Sequence, residues 1–140
     1  MPNIDTSKLI TAAQQQAAAK AAFDDDVTRE RDRRIAAGFT FDGKIFQSRQ
    51  TDRENIMGNA QLAFMAVAGG AEAGNLRWAD ANSDFAWIAA DNTLVPMDAP
   101  TMLAFAKASA AQKARLIFKA REIKDIVPQP TDVTDDKLWG

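Results

Sequence analysis

Four oxygen-bearing residues at ligand-like spacing come closest to chemistry in this chain. Asp80, Asn82 and Asp84 stand at alternate positions, and Asp91 follows where a calcium loop would place its last ligand. The match stops there. Phe85 occupies the position that needs glycine for the sharp turn, and the flanks read as strands where a calcium loop needs helices. A polar β-turn describes the segment better. Asp24-Asp25-Asp26 is a run of carboxylates, but helical neighbours point in different directions and do not converge on one substrate, so they read as solvated surface. Histidine, cysteine and tyrosine are absent, which removes the usual general base, the thiol nucleophile and most transition-metal ligands. Gly69-Gly70 and Gly74 neither follow a strand nor precede a helix carrying Lys-Ser/Thr, so no phosphate loop is supported. No catalytic residue, cofactor or metal is expected, and the chain is not expected to be an enzyme.

Charge narrows the partners. A formal net charge of −2 gives no general attraction to nucleic acid or to acidic membranes. Arg29, Arg31, Arg33 and Arg34 form the one basic cluster, yet Glu30 and Asp32 interrupt it and no aromatic residue lies among them to stack on bases. Pairs such as Glu30–Arg34, four residues apart on a helix, account for it as a solvated face. No apolar stretch approaches the roughly 20 residues that span a bilayer. The N-terminus lacks a basic flank followed by an apolar run. A soluble chain without disulfides is expected, with cytosolic folding allowed.

Residues Thr6 to Ala37 read as one long helix, capped by Asp5, Thr6 or Ser7 and stopped by Gly38. At about 1.5 Å per residue it would reach roughly 45 Å, longer than a small domain needs. Its apolar residues form a narrow seam: Leu9, Ile10, Ala13, Ala17, Phe23, Val27 and Ile35. Such a seam is expected to dock on another chain or a sister copy rather than fold back on its own domain. Asp42-Gly43 between Phe39–Phe41 and Lys44–Phe46 predicts a type I′ hairpin, the entry to the globular part. Thr51-Asp52-Arg53-Glu54 fits a capping box. Ile56, Ala60, Ala63, Phe64 and Val67 then share the buried face of a short helix that Gly69-Gly70 ends.

Leu76–Ala79, Phe85–Ala90 and Leu94–Met97, separated by Asp/Asn-rich turns, predict a small antiparallel meander completed by the Phe39–Phe46 hairpin. Asp98 should cap a second long helix that tolerates Pro100 in its first turn and runs to about Ile126. Leu116, Ala120, Ile123 and Val127 share a stripe on it. The core falls to Phe39, Phe41, Ile45, Phe46, Ile56, Phe64, Val67, Leu76, Trp78, Phe85, Trp87, Ile88, Leu94, Phe105, Leu116, Ile117 and Ile123. The fold class is α+β: a long N-terminal helix and a small antiparallel hairpin and meander, packed with one short and one long helix. Three parts follow: a helical stalk over 1–37, a small domain over 38–127, and an extended tail over 128–140. The tip Leu138-Trp139 has nothing local to pack on and is expected to dock on another subunit or fray.

The order of these pieces carries a resemblance. Arg33-Arg34-Ile35-Ala36-Ala37-Gly38-Phe39-Thr40-Phe41-Asp42-Gly43, then Phe46-Gln47, resembles the opening of a phage domain of uncharacterised function. That domain occurs in tail-fibre-associated and tail fibre assembly-type proteins of phages and prophages. Arg53-Glu54-Asn55-Ile56-Met57-Gly58, Trp87, Asp91-Asn92 and Leu94-Val95-Pro96-Met97 before Asp98 continue it, so the likeness covers roughly Arg33 to Val127. The alanine-rich N-terminal helix and the Trp139-tipped tail depart from it. The resemblance implies a virion tail component, made in the host cytoplasm, that attaches to tail fibre or baseplate proteins and associates with copies of itself, three by analogy with tail fibres. It equally implies a tail fibre assembly chaperone that leaves before the particle is finished. A third expectation, a host-glycan-binding module, rests on Trp78 and Trp87 stacking on sugar rings, against their commoner use as core residues. The partner-binding residues expected are Leu9, Ile10, Ala13, Ala17, Phe23, Val27, Leu138 and Trp139.

Overall fold

The computed structural model describes residues 11–140. Helix α1 (Ala12–Ala37) opens on a capping box: the Gln14 N–H donates to Thr11 Oγ1 (3.1 Å), and the Thr11 N–H donates to Gln14 Oε1 (2.9 Å). The caps expected at Asp5, Thr6 or Ser7 lie outside the described residues, and Thr11 is the cap in place. Gly38 ends the helix at φ +118°. A Cβ there would stand 2.3 Å from the Phe46 carbonyl oxygen, so only glycine fits both the backbone angle and the space.

Strands β1 (Phe39–Phe41) and β2 (Lys44–Phe46) pair antiparallel around Asp42 and Gly43, at φ +49° and +77°, as a type I′ turn demands. Phe39 and Phe46 are opposite one another and buried. Ile45, expected in the core, pairs with Thr40 on the other face and is exposed, because a strand sends alternate residues to opposite sides. Helix α2 (Gln50–Ala68) begins earlier than expected. The Asp52 carboxylate accepts from the Arg49 N–H (2.9 Å) and Nε (2.7 Å), so Asp52 caps from inside the first turn and Thr51 is not the N-cap.

Strands β3 (Ala86–Ile88) and β4 (Leu94–Pro96) form a second two-stranded sheet. The two sheets do not join into one meander; the Ala90 N–H donating to the Ile45 carbonyl (2.8 Å) links them. Leu76–Ala79, expected as a strand, forms turns. Trp78 there donates its indole N–H to the Met97 carbonyl (2.9 Å) and lies against Phe85. Ile88 and Leu94 pair on the outer face and are exposed, correcting their place in the expected core.

Helix α3 (Ala99–Lys124) is the spine on which the rest packs. Asp98 caps it as expected, accepting from the Thr101 N–H (2.7 Å) and also from the Gly74 N–H (2.8 Å), which ties the end of the α2 loop to the start of α3. Hydrogen bonding from Thr101, then from Gly74, holds the Asp98 carboxyl below its usual range. At the N-terminal half of α3, Phe105 is ringed by Phe46, Phe39, Phe41 and Trp87, with centroids 4.8, 5.1, 5.4 and 5.5 Å away. At its C-terminal half, Leu116, Ala120 and Ile123 bury against Phe23, Val27 and Ile35 of α1 and against Trp139. Val127 lies beyond the end of α3 and is exposed, so it leaves the stripe it was expected to share. The architecture is α+β: a long helix, two small antiparallel strand pairs and the helices α2 and α3.

The C-terminal segment is not an extended tail. Asp135 caps helix α4 (Asp136–Trp139), which folds Trp139 back into the second core cluster.

Candidate interaction face

Helix α2 carries more large apolar residues than one buried face can take. Ile56 and Ala63, seven apart, point into the core. Phe64, expected beside them, stands further round the helix and is 65% exposed, while Val67, about 20° from Ile56 but in the last turn of α2, is 38% exposed. Met57, Leu62 and Met65 are likewise more than half exposed. Met57, Ala60, Phe64 and Val67 follow one another at three- and four-residue steps, a continuous apolar stripe of which Ala60 is half-buried and the other three are exposed. Burying one such large side chain contributes roughly 1.5–3 kcal/mol, a gain this face has not taken within the chain. The sequence signal was present: Met57, Leu62, Phe64, Met65 and Val67 exceed what one helix face can hold. Assigning a single buried face to α2 overlooked the surplus.

Across from this stripe runs α3. Arg53, near the start of α2, lies with Lys113 and Ile117, well along α3, while the loop after α2 is bonded to Asp98 at the start of α3. The two helices are therefore antiparallel. Between them is a groove of about 400 Å³, walled by Ile56, Met57 and Ala60 on one side and Ala106, Ala110, Ala114 and Ile117 on the other. Ala106, Ala110 and Ala114, with Ser109, keep much of its α3 wall low, which lets a backbone approach closely. Arg53, Lys113 and Ile117 also border an adjoining cleft of about 410 Å³, which takes Arg31 and Asp32 from α1 and Arg49 from the N-cap position of α2. Arg31 pairs with Asp32 (2.8 Å) and Arg49 with Asp52 (2.7 Å). That pairing, the Arg49 side chain first, holds the Asp52 carboxyl below its ordinary range. Among the described residues, Arg53 and Lys113 form no ion pair, and Arg53 donates to the Ser48 carbonyl. An apolar trough thus runs into a cationic end.

The partner-binding residues expected from the sequence are scattered. Leu9 and Ile10 lie outside the described residues. Ala13 and Ala17 are exposed on the first turns of α1, where every residue from Ala12 to Ala22 is exposed. Phe23 and Val27 are buried against α3, and Trp139 is 1% exposed, with Leu138 half-buried beside it. These are core side chains of this chain and not free docking contacts. The helix folds back because Lys20 reaches the Lys124 carbonyl (2.7 Å) and Lys124 Nζ reaches Thr28 Oγ1 (2.9 Å), closing α1 along α3.

The polar clusters are engaged locally. Asp24 pairs with Lys20 and Asp26 with Arg29. Asp80 accepts from the Asn82 N–H (2.8 Å), Asp84 pairs with Arg77 (3.1 Å), and Asp91 accepts from the Thr93 hydroxyl (2.6 Å). Three separate turns or pairs therefore use the residues of the calcium-like spacing. Among the described residues, no group of three acidic side chains is placed to hold a metal ion, and no helix is long and apolar enough to cross a membrane. Trp78 and Trp87 pack against the aromatic core, the role expected of them over sugar stacking. Arg34, read as part of a solvated face, bonds Glu30 as expected (2.9 Å) but is mostly covered by the C-terminal segment.

The model of one protein family, the domain of unknown function designated DUF4376, matches residues 14–137. No curated protein and no solved structure matches the chain.

Proposed function

The chain belongs to the DUF4376 family, and we propose that it is a structural component of a phage tail, an adaptor that attaches to tail fibre or baseplate proteins. The observation that carries this reading is the exposed apolar face of α2 and α3. Contiguous apolar surface of this kind marks interaction sites on folded domains, and here it sits on two packed helices and runs into a cationic end. The likeness of Arg33–Val127 to domains of tail-associated proteins supplies the context. The open first turns of α1 extend roughly 16 Å at about 1.5 Å per residue. In this reading they join copies of the chain, three being the number that fits a fibre.

Mass spectrometry of purified particles tests the proposal. The protein is expected in finished virions at a fixed ratio to a fibre or baseplate protein. Its absence from them would sink the structural role.

One observation favours a second reading, an assembly chaperone. Met57 and Met65 are among the most exposed apolar side chains, and methionine-bearing surfaces adapt to varied partners. A chaperone would co-purify with unassembled fibre and be missing from particles, so the same measurement separates the two.

A further inference from the structure

We propose that the groove between α2 and α3 receives an amphipathic helix of another protein, with a carboxylate-bearing end seated at Arg53 and Lys113. The inference rests on the reading of this face as a docking surface and adds the chemistry of its occupant.

Three features select that occupant. The trough is apolar along both walls, so the segment must present apolar side chains along one stripe. Its walls are antiparallel helices, and Ala106, Ala110 and Ala114 recur on α3 at four-residue steps, one per turn, leaving room for a third helix to lie close. The trough then opens on two cations that form no ion pair among the described residues, inside a cleft that Arg31 and Arg49 also border. An apolar helix alone would leave that end uncompensated, and a basic one would be repelled. The carboxylates at this end are already engaged, Asp32 by Arg31 and Asp52 by Arg49 with the charge of Arg53 also bearing on it, which leaves Lys113 without a carboxylate partner among the described residues. A partner's aspartate or glutamate supplies the missing charge. The binding mode is a helix laid in a groove, read through anchors at i, i+3/i+4 and i+7.

The probe is a designed 15-residue amphipathic helix with a leucine stripe and two glutamates at one end, labelled for fluorescence anisotropy, with a twin carrying lysines instead. The full chain is expected to bind the glutamate peptide about fivefold or more tightly than the lysine twin, the scale of one partly exposed ion pair. Lys113→Glu, which leaves Arg53 facing a new carboxylate, should abolish that preference. Ala110→Glu, at an exposed helix position, should abolish binding of both peptides while the circular dichroism spectrum stays unchanged. Equal binding of the twins, failure of the glutamate peptide to bind, or indifference to Ala110→Glu would overturn the inference. So would burial of the groove between two copies, seen as a dimer that Ala110→Glu dissociates. These outcomes are separable from the functional reading: a chain present in virions but blind to the peptides refutes only the groove chemistry, and a chain absent from virions refutes the structural role whatever the peptides do.

Discussion

The guanidinium of Arg34 lies 5.2 Å from the centre of the Trp139 ring, joining the last turn of α1 to the last helix of the chain. The same guanidinium donates to the Asp136 carboxylate (2.7 Å), the Thr134 carbonyl (2.9 Å) and Glu30 (2.9 Å). Trp139 in turn donates its indole N–H to the Val133 carbonyl (2.8 Å), and its own carbonyl accepts from Arg115 (2.7 Å). Residues about a hundred positions apart thereby clamp α1 to α3. Trp139→Ala removes a ring buried in the second core cluster, and a loss of about 3–5 kcal/mol is expected. Urea denaturation measures it. A loss under about 1 kcal/mol would mean that the C-terminal helix does not seal the cluster.

The Arg34–Trp139 contact itself is separable from the burial. A cation over an aromatic face contributes on the order of 0.5–2 kcal/mol, depending on exposure. The double-mutant cycle of Arg34→Ala and Trp139→Leu should show a coupling in the lower half of that range. Leucine keeps apolar volume at the site but has no π face, and the Val133 bond, lost in both Trp139→Leu corners, cancels from the coupling. Strict additivity would assign Arg34 wholly to its hydrogen bonds.

Acid should loosen the same corner. The Arg33 side chain first, then Arg34, holds the Glu30 carboxyl below its ordinary value of 4.5, against the opposing effect of its burial. A carboxylate whose pKa is lower folded than unfolded stabilises the fold above the unfolded value and ceases to as pH falls through the folded one. Stability should therefore be level above about pH 5 and decline below the glutamate range. Glu30→Gln should flatten that decline relative to the wild-type chain, since glutamine cannot titrate. Denaturation midpoints from pH 7 to pH 3 check the slope; equal slopes for both proteins would remove Glu30 from the account.

The sequence made local events legible and long-range ones hard to see. The type I′ turn at Asp42-Gly43, the Asp98 cap and the stop at Gly38 are each set by residues within a few positions, so composition announced them. The hairpin reads as the entry to the globular part, yet α3 is the element shared by both core clusters, because Phe105 and Leu116 collect partners from opposite ends of the sequence. The same distance hid the fate of Trp139. Val133 and Leu138 are its only neighbours in sequence within the cluster; the rest of its surroundings, Leu116, Ile123 and Arg34 among them, come from far along the chain. Phe64 shows the converse error. Helical spacing placed it near Ile56, but a step of eight residues turns about 80° away from it at 100° per residue, enough to carry the ring from core to solvent. The interaction face was thus written in α2 as surplus apolar residues, without the position of α3 needed to recognise a groove.

Gly38 offers a sharp local test. Its φ of +118° disfavours any side chain, and an added Cβ would meet the Phe46 carbonyl at 2.3 Å. Gly38→Ala must then move β2 away from the end of α1 or distort the cap. A cost of about 2 kcal/mol or more is expected from backbone strain and overlap together. Gly58→Ala is the matched control: with nothing within 4 Å of its added Cβ, in a helix interior, it should stabilise by about 0.5–1 kcal/mol. Both shifts can be read from thermal unfolding, and a harmless Gly38→Ala would refute the packing of Phe46 against the helix end.

The exposed face separates stability from association. Met57 and Phe64 are each 65% exposed, so replacing them with glutamine removes little buried contact. Met57→Gln with Phe64→Gln should leave the denaturation midpoint nearly unchanged, within about 0.5 kcal/mol per substitution. If the face joins this protein to a tail, the same pair should sharply reduce its copy number in purified particles while its level in the producing cell stays constant. Quantitative mass spectrometry of cells and particles from one culture compares the two. Undiminished incorporation would move the attachment surface elsewhere, to the open turns of α1. A large stability loss would instead show that Phe64 contributes to the fold of the free chain, because an exposed ring with no structural contacts cannot report on folding when it is removed.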